Sequence, residues 1–380
     1  MPLYEYSANL HMHTPYSDGE WYHAQIAEAA MRAGLDVICV TDHNVWVKGP
    51  ERYYEQEGAP GKPGRRVLVL MGEEIHDQAR DPQKNHLLVY GADRELARYA
   101  PEPQALLDAA REAGALTFCA HPVDPAAPLF HEDDLSWVCW EVSGFTGLEI
   151  WNYMSEFKSL LTSRANAVRH ALNPEQGIQG PFPEALAKWD ELAAAGRRVV
   201  AIGGADAHGT MHTMGGLKRV IFPYEFLFRA VNTHILTETP LTGDLAADKR
   251  LVLEALANGH CFVGYDGAAP TKGFRFTANS ERGNALMGDE VMNKNGVTLQ
   301  VAAPTRATLR LICNGKEVVR RDNQSHYMHI VPAGQAGVFR AEAHLPFQGR
   351  TRGWIFSNPI YIVSGQAVGG RPNHSDPPIS

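Results

Sequence analysis

The feature that most constrains this chain is an alternation. Short apolar runs are separated by segments of helical periodicity across the first two thirds, and many runs end on a histidine or a carboxylate. Ser7–His13, Asp36–Thr41, Val67–Met71, His86–Tyr90, Leu116–Ala120, Gly147–Trp151, Arg198–Gly203 and Cys261–Val263 read as strands. Residues 22–33, Pro103–Ala113, Ser155–Leu172, Glu184–Ala195 and Lys249–Asn258 read as helices, several closed by the glycines Gly34, Gly114, Gly196 and Gly259. Strand and helix alternating in this way predict a parallel sheet closed into a barrel. Such barrels place their chemistry at the carboxyl edge of the strands. Nine metal-capable side chains stand at the ends of these runs: His11, His13, Asp18, His43, Glu74, His86, His121, Asp206 and His208. One would mean little, but nine in this order point to a polynuclear, hydrolytic metal centre.

Near Asp266–Pro270 the pattern changes. Helical periodicity gives way to short alternating runs, among them FRFTA, VTLQVA, LRLICNG, VFRAEAHL and WIFSNPIYIV. Asn314–Gly315 is a hairpin signal. The organisation expected is therefore a barrel over residues 1–267, an antiparallel β-sandwich-like domain over 268–365, and a loose tail over 366–380. The stretch between Trp46 and Arg66, rich in Pro-Gly pairs, reads as a mobile loop.

Composition removes several function classes. The formal net charge is −8, against the basic surface usual for duplex nucleic-acid binding. No apolar run reaches the length of a membrane span, and the first residues lack a charged-then-apolar leader. The five scattered cysteines form no CxxC pair and read as buried, reduced thiols of a cytoplasmic protein. Metal ligation would then fall to histidine and carboxylate, a donor set that suits zinc, iron or manganese.

Local geometry supports that ligation. Residues two apart on a strand face the same way, so His11 and His13 can reach one ion, and Asp206 with His208 repeats the spacing. Of the adjacent pair Asp42 and His43, one enters the cavity; His43 is the expected ligand and Asp42 a backbone support. A carboxylate at Glu74 can bridge two cations, which an imidazole cannot.

The strings HMHTPYSDG, TDHN, GEEI, NHLL, AHP, GLEIWN and GADAHG, in this order across Asn9–Gly209, resemble the PHP (polymerase and histidinol phosphatase) superfamily. The resemblance implies a distorted (β/α)7 TIM-like barrel with two to three divalent ions (Mn, Zn or Fe). It implies a first ion held by His11, His13, Glu74 and Asp206, and a second by Glu74, His86 and His121. A third would be held by Asp18, His43 and His208. Because the motif glutamate is the third residue of Gly-x-Glu-Ile, it favours Glu74 over Glu73. The two-domain layout is similar to a stand-alone branch described as predicted phosphoesterases, with carbaryl-type carbamate hydrolases among its relatives.

The reaction expected is hydrolysis by metal-activated water, with Glu74, Asp206 and His208 as catalytic residues and the last two as candidates for proton delivery. The substrate class is a small phosphate ester. A carbamate, ester or amide hydrolase and a non-catalytic metal-binding scaffold are the alternatives. Arg80, Lys84, Lys158 and Arg164 are candidate anion donors, whereas Tyr16, Trp46, Phe145 and Trp151 would suit a neutral substrate. Glu149 either orients a metal histidine or makes a structural hydrogen bond. His76 and His212 lie beside motif residues and are candidates for substrate contact; His23, His170, His234, His260, His326 and His344 read as structural. The expected partner is a small, anionic molecule, with no duplex nucleic acid and no membrane; oligomeric state is left open.

Overall fold

The computed structural model describes residues 3–58, 64–214 and 217–364. The expected tail from 366 lies outside them. The first stretch contains β1 (Tyr4–Asn9), α1 (His23–Ala33), β2 (Val37–Val40), β3 (Arg52–Gln56), β4 (Arg65–Ile75) and β5 (Leu87–Tyr90). It continues through α2 (Pro103–Glu112), β6 (Leu116–Cys119), β7 (Gly147–Asn152), α3 (Tyr153–Ser159), α4 (Arg164–Leu172), α5 (Pro183–Ala194) and β8 (Val200–Gly204). Next come β9 (Met211–Met214), β10 (Leu217–Val220), α6 (Tyr224–Leu227), β11 (Val231–Thr237), α7 (Leu245–Ala257) and β12 (Cys261–Tyr265). The remainder is all strand: β13 (Arg275–Ser280), β14 (Gly283–Leu286), β15 (Glu290–Asn293), β16 (Val297–Cys313), β17 (Lys316–Val331), β18 (Gly337–Phe347), β19 (Arg350–Ser357) and β20 (Ile360–Ser364).

The architecture is mixed α/β around one large sheet of 18 strands. Its first half is not uniformly parallel. β1–β2, β2–β4, β6–β7 and β7–β8 pair parallel, but β4–β5 and β5–β6 pair antiparallel. The cause is the connection between Ile75 and Leu87, which contains no helix. A parallel return needs a crossover long enough to span the sheet, and this loop supplies none. Beyond the ends of β1 and β8, the described residues show one isolated parallel bridge, Met12 with Ala207, and no strand ladder between the two. β11 and β12, of which only a short version of β12 was expected, pair antiparallel on the outer side of β1.

The expected helix Ser155–Leu172 is two helices. Ser163 accepts a hydrogen bond from the Asn166 amide and starts α4 afresh. The expected loop between Trp46 and Arg66 contains β3, which forms a hairpin with β4. Its partial exposure left no clean apolar alternation to read. β13–β20 enclose a second apolar core around Phe274, Phe276, Leu309, Trp354 and Ile360. They are joined to the first part by the antiparallel β12–β19 ladder. One pair here, β15–β20, is parallel, so the antiparallel expectation fails at that edge. The cysteines are all free, but Cys139 and Cys313 are half-buried, unlike Cys39, Cys119 and Cys261. No helix among the described residues is long and apolar enough to cross a membrane.

Candidate metal centre

The site lies where the strand ends converge. β1 stops at Asn9, not at His13, and β8 stops at Gly204. His11 and His13 therefore flank Met12, and Asp206 and His208 flank Ala207, the two residues of the isolated bridge. The alternation argument survives because a single bridge pair suffices to aim both flanking side chains the same way. His43 follows β2 and bridges Glu74, which lies on β4. His121 follows β6. His86 precedes β5, so it stands at an amino end and not the expected carboxyl end. An antiparallel strand presents its start at the edge where its neighbours finish, which brings His86 to the same place.

Glu74 occupies the middle, fully buried. Its Oε1 lies 2.9 Å from His86 Nδ1 and 2.9 Å from His121 Nε2. Its Oε2 lies 3.0 Å from His11 Nε2, 3.2 Å from His13 Nε2 and 3.2 Å from His43 Nδ1. Asp206 Oδ1 is 3.1 Å from His13 Nε2 and 3.4 Å from His11 Nε2. Asp18, on the exposed rim, faces His208 Nε2 at 3.4 Å, His43 Nε2 at 3.6 Å and His13 Nδ1 at 3.7 Å. All nine residues singled out in the sequence thus fall into overlapping groups whose donor atoms lie within 4.8 Å of one another. His76 joins them beside His43 and His86, its ring stacked on that of His86 at 4.3 Å. His212 does not; it is exposed on the β9–β10 hairpin.

The donor chemistry fits cations. Five ring nitrogens in the cluster are buried without a hydrogen-bond partner: His13 Nδ1, His43 Nδ1, His76 Nδ1, His86 Nε2 and His121 Nδ1. Charge balance points the same way. Burial opposes ionisation of Glu74, yet His11 and His43 hold its carboxyl well below the ordinary range. Asp206 is half-buried, which opposes its ionisation, but His11 and His13 hold its carboxyl well below the ordinary range. Burial would lower the His13 and His121 imidazoles, but Asp206 and Glu74 raise His13 to about 10, and Glu74 raises His121 to about 9. The carboxylates thus demand positive charge and draw it to His13 and His121, whereas burial and the neighbouring histidines hold His43 well below its ordinary value and His76 down to about 4. Where that demand is filled by divalent ions, neutral imidazoles become the ligands.

The surrounding groups fix these side chains. Glu149 accepts from His11 Nδ1 at 3.0 Å and from the His121 amide at 3.0 Å, which turns His11 Nε2 toward Glu74. Asn152, not anticipated, donates to Glu149 at 3.0 Å and to Asp206 at 3.3 Å, while its carbonyl oxygen caps α3. The Tyr224 hydroxyl donates to the His13 and His208 backbone carbonyls at 2.7 and 2.8 Å. No sequence motif marks Tyr224. Asp42 turns away from the cluster and accepts from the Thr14 amide, Thr14 Oγ1 and Ser17 Oγ, organising the loop that carries Asp18. Gly204 is needed for close approach, since a Cβ there would lie 2.6 Å from Glu149 Oε1 and 2.9 Å from His11 Cβ. His121 and Asp206 both hold left-handed backbone, at φ 27° and 55°, a conformation that costs about 1–3 kcal/mol and recurs at functional sites.

Glu73 points the other way, as strand alternation requires. Burial first, and then the neighbouring Glu95, push its carboxyl up to about 10. Of the expected anion donors, Lys84 is ion-paired with Asp134, and Lys158 lies 2.9 Å from Asp124 Oδ1. Asp124 in turn stands 3.9 Å from His121 Nδ1. Arg80 and Arg164 are exposed. Trp151 and Phe145 are buried in the core and do not form the aromatic mouth expected of them, whereas Tyr16 is exposed. Because Glu149 carries a hydrogen bond to His11, a candidate metal ligand, Glu149→Gln should lower metal affinity by about 10–100-fold with the fold retained, read by metal titration beside circular dichroism.

Comparison with known proteins adds the following. No curated protein matches the chain. Among solved structures, a two-domain protein from Bacteroides vulgatus containing a predicted PHP-like metal-dependent phosphoesterase is similar with a TM-score of 0.41 and 16% identity, over 93% of this chain and 95% of that one. A metal-dependent phosphoesterase candidate from Bifidobacterium adolescentis is similar with a TM-score of 0.32 and 16% identity, over 55% and 90%. An amidohydrolase from Chromobacterium violaceum, with bound sulfate and no metal, gives 0.27 and 12%, over 57% and 92%. The PHP domain family model matches residues 9–111, the segment that carries His11, His13, Asp18, His43, Glu74 and His86.

Proposed function

We propose that the chain is a PHP-type, divalent-metal-dependent hydrolase acting on a small phosphate ester, with the nine clustered residues as its ligands. The observation that carries this reading is the division of labour at Glu74, whose two oxygens face two separate sets of imidazoles. His11, His13, Glu74 and Asp206 would hold one ion, Glu74, His86 and His121 a second, and Asp18, His43 and His208 a third. Bound divalent ions supply Lewis acidity and bring the pKa of water toward neutrality.

The chain's own residues do the rest. Glu74 keeps the two ligand sets in register. Glu149 holds the proton on His11 Nδ1, so that Nε2 faces inward. His208 directs Nδ1 at the Asp206 carbonyl, which leaves the Nε2 lone pair on the rim side, beside Asp18, for the third ion or, where that ion is absent, for a proton. The distorted-barrel reading is of a piece with this layout, since it gathers strand ends from β1 to β8 around one pocket.

The phosphate preference rests on charge. Three divalent ions, with two charges each, would outweigh the carboxylates at and beside the cluster, Asp18, Glu74, Asp206, Asp42 and Glu149. A net positive pocket favours an anionic substrate and its more highly charged transition state. The test is a panel of chromogenic phosphomonoesters, phosphodiesters, carboxyl esters and carbamates, offered to chelator-stripped protein with Mn, Zn or Fe restored separately. The expected result is phosphate-ester hydrolysis above carboxyl-ester or carbamate hydrolysis, with manganese supporting turnover. The opposite ranking would transfer the assignment to carbamate, ester or amide hydrolysis. Full metal loading without turnover on any substrate would leave a metal-binding scaffold.

A further inference from the structure

A second polar cavity lies away from the nine clustered residues. It is a cleft of about 380 Å³ between α4 with the turn that follows it and the β18–β19 hairpin. Its volume is in the range of small-molecule sites. Its lining includes Arg169, Arg350 and Arg352, together with His170, Gln179 and Gln348, and no carboxylate. Three guanidinium groups line one cleft in a chain of net charge −8, and the nearest carboxylate, Glu175, stands at its edge, where it accepts from Gln348 Nε2 at 3.2 Å.

The hydrogen bonds of these arginines sharpen the point. Arg169 Nε donates to Gln176 Oε1 at 3.0 Å. Arg352 is 2% exposed, and its terminal nitrogens donate to the Ile178 carbonyl at 2.7 Å and the Gln176 carbonyl at 2.8 Å. None of these partners carries charge. Arg352 Nε and His170 Nδ1 are both buried without any hydrogen-bond partner. Burying an ionised group is costly unless it is paired. Backbone carbonyls hold the Arg352 side chain in place, and the neighbouring carboxylates of Glu156 and Glu175 act on it only through space, with no hydrogen bond to it. The β18–β19 turn places Arg350 opposite: Gln348 and Gly349 both hold positive φ, at 47° and 80°, the geometry of a tight two-residue hairpin. Arg350 is therefore presented from a rigid turn.

We propose that this cleft binds the oxyanion group of a small molecule, a phosphate or a carboxylate, at a site separate from the metal centre. Arg352 forms the buried floor, and Arg169 and Arg350 close on the anion from the two sides. Guanidinium groups match both oxyanions through paired, charge-assisted hydrogen bonds. The site sits where the helical part of the first half meets the strand-rich part, so a bound anion would join α4 to β19.

Isothermal titration of the full chain tests this, with inorganic phosphate and citrate as separate probes at fixed ionic strength. The titrations are run with chelator present, so that no cation holds the probe, and repeated with manganese. The double variant Arg169→Gln/Arg350→Gln is titrated alongside; both positions are exposed, so the fold should persist. The expected result is one saturable site in chelator for at least one probe, weakened by about tenfold or more in the double variant as charge-assisted bonds are lost. Preference for phosphate or citrate identifies which oxyanion the cleft takes. Absence of saturable binding of either probe, or binding of equal strength in the double variant, would overturn the proposal. Because the readout is binding in chelator, this result stands apart from hydrolysis at the metal centre.

Discussion

Replacing Glu74 with alanine should abolish turnover, with a loss of about a thousandfold or more, because on the proposed assignment the substitution would remove a ligand from two ions together. The expectation follows from contacts to five imidazoles, His11, His13 and His43 on one oxygen and His86 and His121 on the other. Loss of any single histidine strips one ligand from one ion and should cost less. Metal content, measured by mass spectrometry on purified protein, should fall in parallel. Glu74→Gln tests the same point without opening a void, since it keeps the volume and removes the charge. Glu73 is the internal control. It is buried beside Glu95 on the opposite face of β4, and burial already favours its neutral form. Glu73→Gln should therefore leave both metal content and turnover near wild type. Equal, mild losses at the two positions would remove Glu74 from its bridging role.

The gathering of the metal-capable residues is more legible in this sequence than the topology is. Metal-capable residues at the ends of apolar runs can be read from order and spacing alone, because folding only has to bring strand ends together. All nine positions converge. Strand direction was less visible. HLLVY has the same apolar character whether its strand runs parallel or antiparallel, and the missing crossover helix between Ile75 and Leu87 was the signal that decided it. β11 was overlooked because VNTHILT mixes polar and apolar residues on a strand buried on both faces. Its polar members are satisfied internally: Asn232 donates to the Phe228 carbonyl, and Thr233 to the Gly203 carbonyl. Positioning residues were legible only where a motif contained them. Asn152 closes GLEIWN and could have been named, whereas Tyr224 reaches the site through backbone carbonyls and has no local signature. The aromatic residues failed as markers of a pocket mouth. Trp151 and Phe145 are core side chains, as their size alone would favour.

His234 should set a large part of the stability that joins β1, β11 and the start of the strand-rich region, and its contribution should depend on pH. The ring is buried on β11. Its Nδ1 lies 3.0 Å from Glu5 Oε1 on β1, and its Nε2 lies 3.1 Å from Asp266 Oδ2, just past β12. The Thr271 hydroxyl stands 2.7 Å from the same Nε2, and Arg275 also pairs with Glu5. Burial would lower the imidazole's pKa, but Asp266 and then Glu5 raise it to about 9. The folded chain therefore holds this proton more tightly than the unfolded chain, in which a histidine titrates near about 6.5. The sign follows from linkage: the stabilisation is complete below the unfolded value and is lost as pH rises through the folded value. His234→Gln keeps a polar side chain but leaves Glu5 and Asp266 without their shared cation, a change that costs about 3–5 kcal/mol when one partner of a buried pair is removed. Denaturant unfolding of wild type and variant at pH 6, 7.5 and 9.5 would measure this. The gap between them should be widest at the lowest pH and shrink at the highest. A gap that stays constant from pH 6 to 9.5 would show that His234 is held by packing alone and that its charge contributes nothing to joining the two parts.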